Sequence, residues 1–248
     1  MDKHNPYYYK AKSNVGFLCI HGIFGSPNQF KHIAEMLYDC GYDCKAILLP
    51  GHGGSVEDFS KTSYKIWSNY AKTQISIMKD KYDKLVLIGH SMGGLFCLNF
   101  AEEFKVDGII LINTPMKVKI SLKQLRVCMK VVFSKKNTTQ KFTQTHEKMF
   151  SIKKGIWYKY IKWIKPLLGV VKLIFITRKI LPSVTIPTLI IQSEKDETVN
   201  YKSALYFKAK MNSDILKIFL LKNSYHCYFI YKDKKIIEHL IEEFAKNI

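Results

Sequence analysis

Three side chains of complementary proton chemistry sit in segments that read as loops: a hydroxyl at Ser91, a carboxylate at Asp196 and an imidazole at His226. Ser91 stands in Gly89-His-Ser-Met-Gly93, which fits G-x-S-x-G, the pattern of a nucleophile elbow. The chemistry explains the spacing. A serine hydroxyl attacks a carbonyl when it projects from a tight strand-to-helix turn, and flanking glycines let strand and helix approach without an intervening Cβ. The start of the following helix places positive dipole beneath a developing oxyanion. An ordinary glycine-rich turn with a satisfied serine is the competing reading of the pentapeptide. Here an apolar run precedes it and a helical run follows, which is the context the motif demands.

Two further segments would be coincidences under the competing reading. His21-Gly-Ile-Phe-Gly25 closes an apolar run, where an oxyanion hole of this kind draws one backbone N–H, the other coming from the residue after the nucleophile. Ile23 and Met92 are the expected donors. His21 itself reads as a structural histidine bonded to a loop carbonyl. The second segment is the acid loop, Gln192-Ser-Glu-Lys-Asp-Glu197, followed thirty residues after Asp196 by His226, in the order Ser, Asp, His. Asp196 would hold His226 in one tautomer and stabilise its imidazolium. Glu194 and Glu197 compete for that role; position favours Asp196, which leaves the other two as solvated turn carboxylates. His4, His32, His146 and His239 read as surface residues of the tail or of helices, and His52 and His90 as packing or backbone-bonding residues beside glycine turns.

These groups meet only if parallel strands bring their loops to one edge. Short apolar runs at 15–20, 44–49, 84–88, 108–112, 188–191 and 216–221 predict strands. Helical spacing over 28–38, 63–79, 92–104, 201–211 and 234–245 predicts the helices between and after them. Alternation of this kind implies an α/β class with a mostly parallel central sheet covered by helices on both faces. Residues 116–182 break the rhythm and read as a helical insertion, dividing the chain into a first core part (1–115), the insertion (116–182) and a last core part (183–248).

His21-Gly22, Leu49-Pro-Gly-His-Gly53, Gly89-His-Ser-Met-Gly93, Asn113-Thr-Pro-Met116, Ser193-x-x-Asp196-x-x-Val199 and Ser224-x-His226 together resemble the small bacterial carboxylesterases and monoacylglycerol lipases of the α/β-hydrolase superfamily. The resemblance covers the core on both sides of the insertion and implies that the insertion is a small cap over an acyl pocket. Two positions depart from it: Tyr225 stands where glycine is commoner, and Tyr231 stands where the family often has an aspartate. The first implies a narrower pocket and the second a different support for the histidine loop. Relatives with epoxide or haloalkane chemistry carry aspartate at the elbow, so Ser91 implies acyl chemistry.

The 248 residues suffice for one α/β domain with an insertion, and an apolar fraction of 47% with 24% charged residues is that of a globular protein. The first residues lack the apolar core of a signal peptide, and the longest nearly apolar stretch, 166–177, is well short of the ~20 residues that span a bilayer, so a cytoplasmic protein is expected. Six scattered cysteines without a C-x-x-C pair read as buried reduced thiols. The net charge of +19 is concentrated: residues 116–182 hold seventeen Lys or Arg against one acid, Glu147, and the other 181 residues carry only +3. Within the insertion, Trp157, Tyr160, Trp163, Ile164, Leu167, Val171 and Ile174 are expected on one side, and Lys154, Lys162, Lys165, Lys172 and Lys179 on another. The apolar side then roofs the pocket under solvated lysines, or the cap docks peripherally on an anionic membrane.

The expected enzyme is a serine carboxylic-ester hydrolase acting on small acyl esters or monoacylglycerol-like lipids through an acyl-enzyme, with no metal or organic cofactor. A thioesterase or acyltransferase would use the same three groups. A non-catalytic membrane or nucleic-acid binder ranks lower, because the elbow, acid, base and oxyanion loop are all present and no nucleic-acid motif accompanies the lysines.

Overall fold

The computed structural model describes residues 4–117, 150–153 and 155–248. Most of the basic insertion, including Cys128, His146 and Glu147, lies outside the described residues. The six expected strands form as β2 (Val15–Ile20), β3 (Asp43–Ile47), β4 (Lys84–His90), β5 (Gly108–Ile112), β6 (Thr188–Ser193) and β7 (Leu216–Leu221). A seventh, β1 (Tyr7–Tyr9), pairs antiparallel with β3, and the sheet runs β1-β3-β2-β4-β5-β6-β7, parallel everywhere else. β1 lies in a stretch that the sequence reading left as a tail. Its three tyrosines are half-buried, and it has only three residues, too few to show a period.

Each central strand divides its side chains between two cores. Leu18, Ile20, Leu85 and Leu87 join one, with Trp67, Ala71 and Ile75 of α3 (Tyr64–Lys79) and Leu95 and Leu98 of α4 (Met92–Ala101). Phe17, Cys19, Val86 and Ile88 join the other, with Ile33, Ala34 and Leu37 of α1 (Lys31–Asp39) and Ile237, Leu240 and Ile241 of the C-terminal helix (Tyr231–Lys246). Burial on both faces explains why these strands are unbroken apolar runs rather than alternating ones. The short helix α2 (Val56–Ser60) was not expected from the sequence. It starts at a capping box, in which Ser55 and Asp58 satisfy each other's backbone N–H groups. Of the described cysteines, Cys19, Cys44 and Cys97 are buried and Cys227 half-buried, whereas Cys40 is exposed at the end of α1, contrary to the expectation of a buried thiol.

Between β5 and β6 the described part of the insertion is a 3-10 segment, Trp157–Trp163, running into α5 (Ile164–Ile180). α5 packs on α3 and α4, with the Asn99 amide donating to Thr177 Oγ1 at 2.6 Å and Trp163 Nε1 donating to the Val56 carbonyl at 3.1 Å. Pro166 is the third residue of α5, where its missing N–H removes no intrahelical bond. Part of the expected apolar side is corrected. Trp163 and Ile174 are buried, with Pro166, Leu173 and Thr177, whereas Ile164 and Leu167 face outward. Helix α6 (Ser203–Lys210) follows β6, and the C-terminal helix, α7, follows β7. No helix among the described residues is long and apolar enough to cross a membrane.

The elbow depends on contact between elements. A Cβ on Gly93 would lie 1.8 Å from the Ile20 carbonyl oxygen, and one on Gly89 would lie 2.3 Å from the Gly94 Cα, so β2, β4 and α4 meet at backbone distance. Gly93→Ala is therefore expected to cost more than about 4 kcal/mol, which lowers the melting temperature of a domain this size by roughly 10 °C or more. A thermal melt within two or three degrees of wild type, roughly 1 kcal/mol for this size, would show that the backbone gives way there at little cost.

Candidate active site

Ser91 follows β4 directly, and its backbone is left-handed, with φ 52° and ψ −121°. A non-glycine residue there is strained and needs surrounding structure to hold it. Its N–H donates to the Ile112 carbonyl at 2.9 Å, and its own carbonyl accepts from the Gly94 N–H at 3.1 Å. Met92 is the first residue of α4, so its N–H is one of the helix's open donors. The His21-Gly22 loop after β2 lies against the serine: a Cβ on Gly22 would come within 2.9 Å of the Ser91 Cβ. Ile23 follows in that loop and is half-buried.

The acid loop leaves β6 and the base loop leaves β7, and the sheet brings both to Ser91. The His226 Nδ1–H donates to Asp196 Oδ2 at 2.7 Å, and His226 Nε2 accepts from Ser91 Oγ–H at 3.1 Å. All three residues are at most 7% exposed. Asp196 Oδ1 accepts from the N–H groups of Thr198 and Val199, each at 2.7 Å, so both carboxylate oxygens are fixed. Burial by itself would lower the pKa of the His226 imidazole. The charge and hydrogen bond of Asp196, with the charge of Glu197, outweigh that and hold the pKa above the ordinary histidine value.

Glu194 is exposed, as expected of a turn carboxylate. Glu197 is not a solvated bystander: its Oε2 accepts the His226 backbone N–H at 3.1 Å. His226 is thus held by a carboxylate at its ring and another at its backbone. The expected structural role of His21 is borne out, since its Nδ1–H donates to the Gly22 carbonyl at 2.8 Å and its Nε2 accepts from the Leu49 N–H at 3.0 Å. His90 Nε2–H donates to the His226 carbonyl at 2.8 Å. His32, expected at the surface, is half-buried against the C-terminal helix, and burial with nearby Lys234 lowers its pKa to about 4.

Asn113, quoted in the sequence reading only as part of a motif, is the joint between the loops. Its backbone is left-handed (φ 49°) and it is fully buried. Its amide donates to the carbonyls of Tyr225 (3.2 Å) and His226 (3.0 Å), and its Oδ1 accepts from the Ser193 N–H at 2.7 Å. One side chain at the end of β5 therefore ties the acid loop to the base loop. The support displaced from position 231 is found two residues later. Asp233 accepts from Ser224 Oγ–H at 2.6 Å while Tyr231 is 75% exposed.

The loop of Ile23 is also gripped from the insertion. Phe24 has a left-handed backbone (φ 61°), its carbonyl accepts from the Ser151 N–H at 2.9 Å, and its ring stacks on Trp163 at 5.0 Å. Among the described residues one group offers several ligand atoms to a cation: His90, His226 and Cys227, within 4.8 Å of one another. Asp196 and Ser91 occupy both ring nitrogens of His226, His90 spends Nε2 on a carbonyl, and burial pushes the Cys227 thiol well up. These bonds leave His226 no open ring nitrogen for a cation.

This arrangement can activate a hydroxyl and carry its proton. The sequence profile described as serine aminopeptidase S33 matches residues 12–233. Among curated proteins, the chain is 26% identical to a thermostable monoacylglycerol lipase of Bacillus sp. (strain H-257), over 97% of this chain and 94% of that one. It is 22% identical to a carboxylesterase of Bacillus subtilis (strain 168), over 98% and 96%. Among solved structures, a monoacylglycerol lipase from Paleococcus ferrophilus has the same fold, with a TM-score of 0.72 at 16% identity over 96% of each chain. A structure reported with the metagenome-derived lipolytic enzymes LipS and LipT superposes with a TM-score of 0.77 at 21% identity, over 100% and 99%. With residues 12–233 of its 248 matched by the profile, the chain belongs to the serine aminopeptidase S33 family of hydrolases and is an enzyme of the α/β-hydrolase fold.

Proposed function

We propose that the protein is a serine carboxylic-ester hydrolase that works through an acyl-enzyme on small acyl esters or monoacylglycerol-like lipids. The hydrogen-bonded line from Ser91 Oγ through the His226 ring to Asp196 carries this reading. In the tautomer that line requires, Nδ1 keeps its proton against Asp196 and Nε2 offers a lone pair to the serine. Ser91 Oγ attacks the ester carbonyl and its proton passes to His226 Nε2. The N–H groups of Ile23 and Met92 receive the oxyanion. Collapse of the tetrahedral species breaks the ester C–O bond, and the imidazolium gives its proton to the departing alcohol. Water, deprotonated by the same nitrogen, then attacks the acyl-serine, and collapse breaks the bond to Oγ, releasing the acid while the imidazolium returns its proton to Ser91. The monoacylglycerol lipase and carboxylesterase among the relatives support the choice of substrate class. Residues 116–182 are proposed to act as one cap, with Trp163 and Ser151 holding the loop that carries Ile23.

Ser91→Ala is expected to lower turnover of p-nitrophenyl esters by roughly 10⁴-fold or more, with an unchanged thermal melt, and to abolish labelling by a fluorophosphonate. Near wild-type turnover by that variant would rule out the serine mechanism. The pH profile provides a second test. The base works when neutral, so kcat/KM rises with pH through the His226 pKa. The groups facing this imidazole are Asp196, Ser91, Glu197, His90 and Cys227, and His90, with its pKa lowered to about 3 by burial and by His226, stays neutral. Removing the charge in Glu197→Gln takes away one influence that raises the His226 pKa, so the acid limb is expected to move to lower pH. An acid limb that stays put or moves up would show that this carboxylate does not act on the base.

A further inference from the structure

α5 turns one continuous face to solvent, and that face is divided lengthwise. At 100° per residue, Ile164, Phe175 and Leu168 fall within about 40° of one another, and Lys179, Lys172 and Lys165 occupy the next 40°. The three apolar side chains are 56%, 56% and 63% exposed. The opposite side of the helix holds Leu173, Pro166, Thr177 and Ile174 and is buried on the core, so among the described residues the outward apolar row stays largely exposed, Phe175 meeting only the Arg178 guanidinium 5.0 Å from its ring centroid.

The lysine row borders a groove of about 590 Å³ between α5 and the start of α3. Lys165 and Lys172 line it from the insertion, Lys61 and Lys65 line it from the core, and Leu168 stands at its edge. Among the described residues, no acidic side chain lines it. Of the two carboxylates of α2, Glu57 pairs with Lys159 and Asp58 bonds Ser55, with Lys61 near enough for its charge to act on Asp58. None of the four lysines forms an ion pair among the described residues; the Lys172 ammonium lies 5.8 Å from the Tyr64 ring centroid. The positive end of the sixteen-residue helix α3 opens on the same groove, capped at Ser63.

Four lysines that line one groove without an ion pair among the described residues favour a phosphate-bearing anion, and the exposed apolar row beside them favours one embedded in a hydrocarbon surface. From this geometry we infer that the groove between α3 and α5 receives the phosphate headgroups of anionic phospholipids. Ile164, Leu168 and Phe175 enter the acyl boundary beside it, seating the enzyme on a bilayer. Half of the basic wall comes from the core, at Lys61 and Lys65, and half from the insertion, so the charge of the insertion alone does not define the site. The inference gives the lipid-ester reading a source of substrate but does not need it, because the Ser91→Ala protein should bind vesicles equally well.

The test is co-sedimentation of full-length Ser91→Ala protein with phosphatidylcholine vesicles and with vesicles in which phosphatidylglycerol replaces part of the phosphatidylcholine. Binding to the second set only is expected. Neutralising the four lysines together (Lys61→Gln, Lys65→Gln, Lys165→Gln, Lys172→Gln) is expected to weaken it about tenfold or more. Leu168→Ser with Phe175→Ser is expected to weaken it while leaving its salt dependence in place. Thermal melts within about two degrees of the Ser91→Ala protein show that the variants fold. Equal binding to both vesicle types, or wild-type binding by the lysine variant, would overturn the inference. So would saturation of the groove by free glycerol phosphate without any vesicle preference, or a loss confined to duplex DNA binding. If vesicles bind as expected while ester turnover is absent, the hydrolase reading fails and this one stands.

Discussion

Everything at the site depends on one strained residue. Ser91 holds φ at 52°, a conformation that costs a non-glycine residue about 1–3 kcal/mol, and neighbours on three elements keep it there. Gly89 and Gly93 remove the Cβ atoms that would push β4 and α4 apart or drive α4 off the end of β2, and Gly94 removes one that would strike Thr114 just beyond β5. The hydroxyl is raised above the sheet edge because the chain on either side is packed at backbone distance. A looser turn would place the serine among its neighbours as a buried polar side chain, and the imidazole of His226 would have nothing to receive.

The electrostatics around that residue follow from burial applied unequally. Four imidazoles crowd the carboxyl end of the sheet. Burial drives the pKa of His21 far down, that of His52 to about 4 and that of His90 to about 3, so these three act as neutral hydrogen-bonding struts. His226 is also buried, yet its pKa moves the other way, because it alone has carboxylates at both its ring and its backbone N–H. A single imidazole among four is therefore held ready to take up a proton, its pKa kept above the ordinary histidine value. The struts are not idle: His90 and Asn113 both bond the carbonyl of His226, so the base is located by its backbone as well as by its ring.

The core was legible in the sequence because both of its periodicities are strong. Doubly buried strands appear as uninterrupted apolar runs, and the elbow, acid and base lie in motifs whose order and context are distinctive. What escaped the sequence is explained by short range or by hidden partners. β1 has three residues and no measurable period, and α2 has five, announced only by Ser55 and Asp58. Glu197 looked like a solvated turn residue because its partner is a backbone N–H twenty-nine positions away. Asn113 and Asp233 act through carbonyls and a hydroxyl brought near by the fold, which leaves no local signature. The face of α5 was misjudged for a different reason: an apolar stripe says that a helix has something to bury but not where. Ile164 and Leu167 matched the period of Trp163 and Ile174 and ended on the outside.

That outward stripe bears on how the insertion relates to the chemistry. Trp163 joins three parts of the molecule: its indole N–H bonds the Val56 carbonyl, its ring packs on Phe59, and it stacks on Phe24 in the loop that carries Ile23. Phe24 is itself in a left-handed conformation, held by the Ser151 N–H on its carbonyl. The loop beside Ser91 therefore takes its shape from residues of the insertion as well as from β2. α5 follows Trp163 in the chain without a break, so a force applied to its exposed face has a packed route of one aromatic contact to that loop. Trp163 and Ser151 therefore tie the described part of the insertion both to α2 and to the loop that follows β2.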